Sequence, residues 1–150
     1  MTRVALDTNV IVYAELEPTT AKGQRAQDLL IKAARDGVMP LQVLSEFMRV
    51  IQRVDPARLG RAVSLMRTYH SAFAAPITTF DNMLTAGAIA QSDGLQSFDA
   101  IVVAASAGAG AKVLLSEDMQ DGRIIGGLRI LNPFNPANDA VIDALFWTQP

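Results

Sequence analysis

Arg3-Val4-Ala5-Leu6-Asp7-Thr8-Asn9-Val10, near the amino end, decides how this chain is read. A short apolar run halts at an acid, which is how a buried strand looks when a polar residue stands at its carboxyl end. The same figure returns at Lys112-Val113-Leu114-Leu115, which runs into Ser116-Glu117-Asp118. Two such strands, far apart in sequence, need a crossover between them, and helical patterns fill the interval.

Thr8-Asn9 leads into a second apolar run, Val10 to Ala14, read as a short helix. Ala21 to Ala34 carries Ala26, Leu29, Leu30, Ala33 and Ala34 on one face, and Gly37 stops it. Val38-Met39-Pro40 reads as a brief strand, followed by a helix from Leu41 to Arg53 with Leu44, Phe47, Met48 and Ile51 on one face. Asp55 as N-cap and Pro56 at the first helical position open another helix, with a stripe of Leu59, Val63, Met66, His70 and Phe73. Ala75 to Thr78 reads as a minor strand, and Asp81 to Gln91 as a helix ended by Ser92-Asp93-Gly94. Ser97 caps a helix through Ala107, halted by Gly108 and Gly110, and Leu128-Arg129-Ile130-Leu131 is a last strand closed by Asn132-Pro133. Short apolar strands alternating with helices give an α/β fold around a mainly parallel sheet flanked by helices.

The 150 residues are half apolar and 19% charged, which fits one compact domain and excludes a disordered chain. The absence of cysteine removes disulfides and thiolate metal sites. No stretch approaches the roughly 20 apolar residues of a membrane helix, and residues 1–16 lack the layout of a signal peptide, so the expected location is cytoplasmic. A net charge of −2 argues weakly against a nucleic-acid partner, yet Arg49, Arg53, Arg58, Arg61 and Arg67 crowd one stretch in which Asp55 is the only acid. They form either an RNA track or a solvated helix face with local ion pairs.

The acids carry the chemistry. Asp7 and Asp118 follow parallel strands, outside whose carboxyl ends ligand sites lie. Asp99 falls in the first turn of a helix, where the macrodipole favours negative charge. Glu46 shares its stripe with Val43 and Val50 and so emerges from an apolar surface. Carboxylates gathered without a cation repel one another, and an all-oxygen set calls for a hard ion, Mg²⁺ or Mn²⁺. Such a centre suits phosphodiester hydrolysis without a histidine or cysteine nucleophile. Taken singly, each Asp also has the bland role of a cap, and both readings stand on pattern alone.

Leu6-Asp7-Thr8-Asn9-Val10, Gln42 to Phe47, Phe98 to Ala105, Ser116 to Gln120 and Gly127 to Phe134 stand in order, and together the chain resembles the PIN-domain ribonucleases, specifically the VapC toxins of bacterial toxin–antitoxin pairs. The resemblance implies a Mg²⁺- or Mn²⁺-dependent endoribonuclease that cuts RNA, forms a homodimer and is neutralised by a cognate antitoxin protein. It places the catalytic and metal-binding acids on Asp7, Glu46, Asp99 and Asp118, with Asn9 and Ser116 in support. The candidate RNA-binding residues are Arg49, Arg53, Arg58 and Arg61. The domain is expected over residues 1–134, with 135–150 as a C-terminal extension folded into a packed helix. Phe98 stands where Tyr or Trp is common in the family, Leu41 where Ser or Thr is, and Glu117 adds an acid beside Asp118.

Several features have plainer readings. His70, the only histidine, is expected to pack at the core or its boundary, and Trp147 is expected to be buried with Val141, Ile142, Leu145 and Phe146. Gly108 to Gly110 precedes a strand, so it is a helix stop and no nucleotide loop. Glu117 and Asp121 are either solvated or extend the site. Competing functions are phosphoryl transfer through an aspartyl-phosphate on Asp7, which lacks the second Asp or the late-strand Lys such enzymes need, and a degenerate PIN-fold module that binds RNA or protein without cutting.

Overall fold

The computed structural model describes residues 2–147. Strand β1 (Val4–Leu6) is fully buried, and Asp7 turns it into helix α1 (Thr8–Leu16). The Asp7 carboxylate accepts from the Thr8 amide at 2.8 Å and so caps the helix that begins beside it. Helix α2 (Ala21–Ala33) is capped by Thr20 and buries Ala26, Leu29 and Ala33. Helix α3 (Leu41–Val54) begins without a side-chain cap, because Pro40 holds the cap position and has no side-chain acceptor. Helix α4 (Leu59–Ala72) follows a single 3-10 turn at Pro56–Arg58. Helix α5 (Phe80–Asp93) opens on a reciprocal capping box between Thr79 and Asn82 and ends at Gly94, whose φ of 71° lies in the left-handed region. Helix α6 (Ser97–Gly108), strands β2 (Val113–Leu115), β3 (Ile124–Ile125) and β4 (Leu128–Leu131), and helix α7 (Asp139–Leu145) complete the chain.

The sheet runs β1-β2-β4-β3, with β1, β2 and β4 parallel and β3 antiparallel at one edge. On the other side Val38 forms a parallel bridge to Ala5 and passes one on to Ala74. Leu6 pairs with Leu115, and Leu115 with Leu131, so the three parallel strands end level. Apolar side chains of β1, β2 and β4 share one buried core with α3 and α6, whose Phe47, Ile51, Val102 and Val103 are fully buried. The β3–β4 turn needs positive φ at both Gly126 and Gly127 (55° and 83°), and a Cβ on Gly126 would meet Ile89 Cδ1 at 2.9 Å. Among the described residues no helix is long and apolar enough to cross a membrane.

The α/β architecture and its mainly parallel sheet match the expectation, and several local details do not. Ser97 is the first residue of α6, with Gln96 at the cap position and no side-chain bond there. Asp55 forms an ion pair with Arg58 at 3.0 Å in place of capping α4. The buried stripe of α4 runs Ala62, Leu65, Met66, Tyr69 and Phe73, because the helix starts after the 3-10 turn, and this rotation leaves Val63 and His70 exposed. Met48 is exposed too, and Val43 takes the buried place beside Leu44. The minor strand expected over Ala75–Thr78 reduces to the bridge at Ala74. Helix α7 docks on its own chain through buried Ile142, with Arg25 and Lys32 of α2 paired to Asp143 at 3.1 and 3.2 Å. Trp147 lies just past that helix and is 70% exposed, contrary to the packed position expected for it.

Candidate active site

The level ends of the parallel strands set the site. The Asp7 amide donates to the Leu115 carbonyl at 3.0 Å, and the Ser116 amide donates to the Leu131 carbonyl at 3.1 Å, so the first residues beyond β1 and β2 stand side by side. Ser116 Oγ, fully buried, donates to Asp7 Oδ2 at 2.6 Å and accepts from the Asp118 amide at 3.2 Å. Asn9, one step into α1, bridges the same groups. Its Nδ2 donates to Asp118 Oδ2 at 3.2 Å and reaches Asp7 Oδ2 and Ser116 Oγ at 3.5 Å. Its Oδ1 accepts from the Glu117 amide at 3.3 Å, which fixes which end of the amide faces the acids. Asn9 and Ser116 thereby tie the two strand-end aspartates into one hydrogen-bonded unit.

Glu46 and Asp99 face this unit from α3 and α6. Thr8 Oγ1 donates to Glu46 Oε2 at 3.0 Å and Gln42 Nε2 to Oε1 at 3.2 Å, so both carboxylate oxygens are held. Burial drives the Asp7 carboxyl up to about 6, against the lowering effect of Ser116 and the Thr8 amide, and the charges of Asp99 and Glu46 push it further the same way. Half-buried Asp99 is also raised, first by burial and then by the charges of Glu46 and Asp118. These mutual repulsions make the four acids one electrostatic group.

None of the four forms an ion pair among the described residues. As the side chains lie, no three acids among the described residues are drawn together as a closed ligand set. A magnesium-like ion keeps several waters and uses only one or two carboxylates directly, so it does not need them closed. The donor set is all oxygen, partly desolvated and short of positive charge. It fits a hard divalent cation.

The neighbouring acids have other employment. Glu117 pairs with Lys22 and accepts from Tyr13 at 2.6 Å, while Lys22 lies 4.9 Å from the centroid of the Tyr13 ring. Asp121 accepts from the Asn132 amide and from Asn135 and Asn138 at 2.9 to 3.0 Å, anchoring the turn before α7. Of the arginines, Arg61 pairs with buried Glu15 at 2.6 Å, and Arg58 with Glu15 at 3.5 Å and its carbonyl at 2.9 Å, a latch between α1 and α4. Arg49 and Arg53 are exposed on α3, and neither has an ion pair among the described residues. Thr8 and Gln42 join the site without having been expected there. Gln42 had a signal, since it stands four residues before Glu46 on the same helix.

The family profile of the PIN domain matches residues 4–120. No functionally curated protein matches the sequence at a significant level. Among solved structures, a toxin–antitoxin complex from Klebsiella pneumoniae is similar with a TM-score of 0.65 at 20% identity, covering 87% of this chain and 98% of its own. VapC20 of Mycobacterium tuberculosis, a toxin that cleaves the sarcin–ricin loop, is similar with a TM-score of 0.62 at 17% identity, over 77% of this chain and 91% of its own. DNA-bound VapBC from Salmonella typhimurium has a TM-score of 0.62 at 16% identity, over 87% and 97%. At such identities the likeness is one of fold.

Proposed function

The chain belongs to the PIN-domain family, and from that footing we propose that it is a divalent-metal-dependent endoribonuclease, the toxin of a toxin–antitoxin pair acting in the cytoplasm. One observation carries the reading: four carboxylates share the rim of a parallel sheet, burial and the neighbouring acids raise the proton affinity of Asp7 and Asp99, and none of the four has an ion pair among the described residues. Asp7, Glu46, Asp99 and Asp118 are the residues that would hold Mg²⁺ or Mn²⁺. When bound, such an ion polarises a phosphoryl oxygen and makes water a better nucleophile. Asn9 and Ser116 keep Asp7 and Asp118 in one orientation, and Thr8 and Gln42 do the same for Glu46, so the site is set before substrate arrives.

The partners follow from the same reading. RNA is the substrate. A cognate antitoxin is the expected inhibitor, since structures with this fold include toxin–antitoxin complexes. The homodimer is supported by exposed Ile77, Phe80, Met83 and Leu84, clustered at the start of α5, more apolar surface in one place than a lone chain needs. Residues 1–134 form the nuclease domain in this proposal, with α7 an extension latched to α2.

The test is RNA cleavage by purified protein with and without Mg²⁺, beside Asp99→Asn. The amide keeps the size and removes a charge, and the loss of rate should be on the order of a hundredfold or more while the fold survives. A folded Asp99→Asn chain cutting at the native rate sinks the assignment. A wild-type chain that binds RNA and never cuts it favours the degenerate module.

A further inference from the structure

A cleft of about 450 Å³ opens directly beside the acids, within the roughly 300–1,000 Å³ range of ligand pockets. It is lined by Leu95, Gln96, Asp99, Asp118, Met119 and Gln120. Two of these are members of the acidic site. The other polar pair is of a different kind: Gln96 and Gln120 are exposed and uncharged, and their side chains make no hydrogen bond among the described residues. Gln96 occupies the cap position of α6 without capping it, so its amide is free. Leu95 and Met119 add an apolar surface to the lining, and Phe98, in the same helical turn as Asp99, is 61% exposed.

We propose that this cleft, through Gln96 and Gln120, reads an unpaired purine, adenine above all, next to the phosphodiester that the acids cut. The inference rests on the ribonuclease reading and adds its base specificity. The chemistry discriminates among occupants. A primary amide has a donor and an acceptor side by side, which match N6 and N7 of adenine in a bidentate pair. A phosphate is disfavoured here, because the cleft presents two carboxylates and no cation. Sequence-specific RNA readers take splayed, single-stranded bases, hold their edges by hydrogen bonds and stack them on aromatic rings, and Phe98, one residue before Asp99, is an exposed ring on the same helix. The two glutamines come from separate segments, one after α5 and one after β2, so a base between them is gripped from two sides.

The experiment is digestion of a random-sequence single-stranded RNA pool, sequencing the new 5′ ends, with wild-type chain and with Gln96→Ala/Gln120→Ala. Both glutamines are exposed and unbonded, so folding is not at stake. The expected wild-type profile has an adenine preference within a nucleotide or two of the cut. The double variant should lose it by about ten- to a hundredfold in discrimination while still cutting. Superimposable base profiles overturn the proposal and leave the nuclease reading intact. A wild-type chain that cuts nothing overturns both. A second readout does not depend on cleavage: 5′-AMP should shift the Gln96 and Gln120 side-chain amide resonances more than 5′-CMP does. Equal or absent shifts count against the cleft.

Discussion

Replacing Asp7 with asparagine should make the metal-free protein more stable, although it removes a residue placed at the centre of the site. The carboxyl is buried and ionises at about 6, where a free aspartate ionises at 3.8. Keeping it charged at pH 7 therefore costs about 3 kcal/mol relative to the unfolded chain. The folded chain holds this proton more tightly than the unfolded chain, so the penalty is absent below about pH 4, grows as pH rises, and is complete above about pH 6. Asparagine stays neutral throughout and keeps an oxygen for the Thr8 amide, and the Ser116 hydroxyl can turn from donor to acceptor. For a chain of this size the gain corresponds to a rise of roughly 5–10 °C in melting temperature at pH 7. The assay is thermal unfolding of both proteins in chelator at pH 4 and pH 7. A second series with Mg²⁺ should stabilise the wild type alone. An Asp7→Asn chain less stable at pH 7, or a gap that does not change with pH, refutes the electrostatic account of this site.

Gln42→Ala frees one oxygen of Glu46 and should weaken Mn²⁺ binding about tenfold with the fold unchanged, read by calorimetric titration, with partial rescue by Gln42→Asn. Unchanged affinity removes Gln42 from the site. An Arg49→Ala/Arg53→Ala chain should flatten the salt dependence of RNA binding by about one unit of slope for each phosphate no longer neutralised, whereas Arg58→Ala/Arg61→Ala should chiefly loosen the Glu15 latch. If the first pair leaves the slope alone, these arginines are a solvated face. Ile142→Ala should cost about 2–4 kcal/mol in urea unfolding, since this side chain of α7 is fully buried. Trp147 should nonetheless emit like a water-exposed indole, because the tail docks through Ile142 and the ion pairs to α2 and leaves the indole outside.

The parts of this molecule that are readable from sequence are those that local rules control. An apolar run cannot continue through Asp7 or Ser116-Glu117-Asp118 without burying charge, so the strand ends, and with them the rim of the site, are written into the pattern. Gly94 and Gly110 stop helices because only glycine takes their positive φ cheaply. What escapes depends on rotation and on distant partners. The stripe on α4 is displaced because a 3-10 turn, with its tighter pitch, precedes the helix, and hydrophobic spacing alone does not reveal where that turn ends. Strand β3 is two residues long, too short to show alternation, and exists because Gly126-Gly127 folds it back on β4. The Glu15 latch joins residues 46 positions apart, and a lone acid inside an apolar helix looks the same whether its partner is a metal, water or Arg61. Thr8, adjacent to Asp7, is hidden because its hydroxyl serves Glu46, a residue 38 positions away.

The claim that Asp7, Glu46, Asp99 and Asp118 form one divalent-cation site is tested most directly by titrating Mn²⁺ into the protein under paramagnetic resonance. Saturable binding by the wild-type chain, displaced by Mg²⁺, is the predicted result. Affinity should be weakened by at least about tenfold in Glu46→Gln and in Asp99→Asn, chains that should otherwise fold normally. Mn²⁺ binding by both variants with wild-type affinity, or none by the wild-type chain, contradicts the claim.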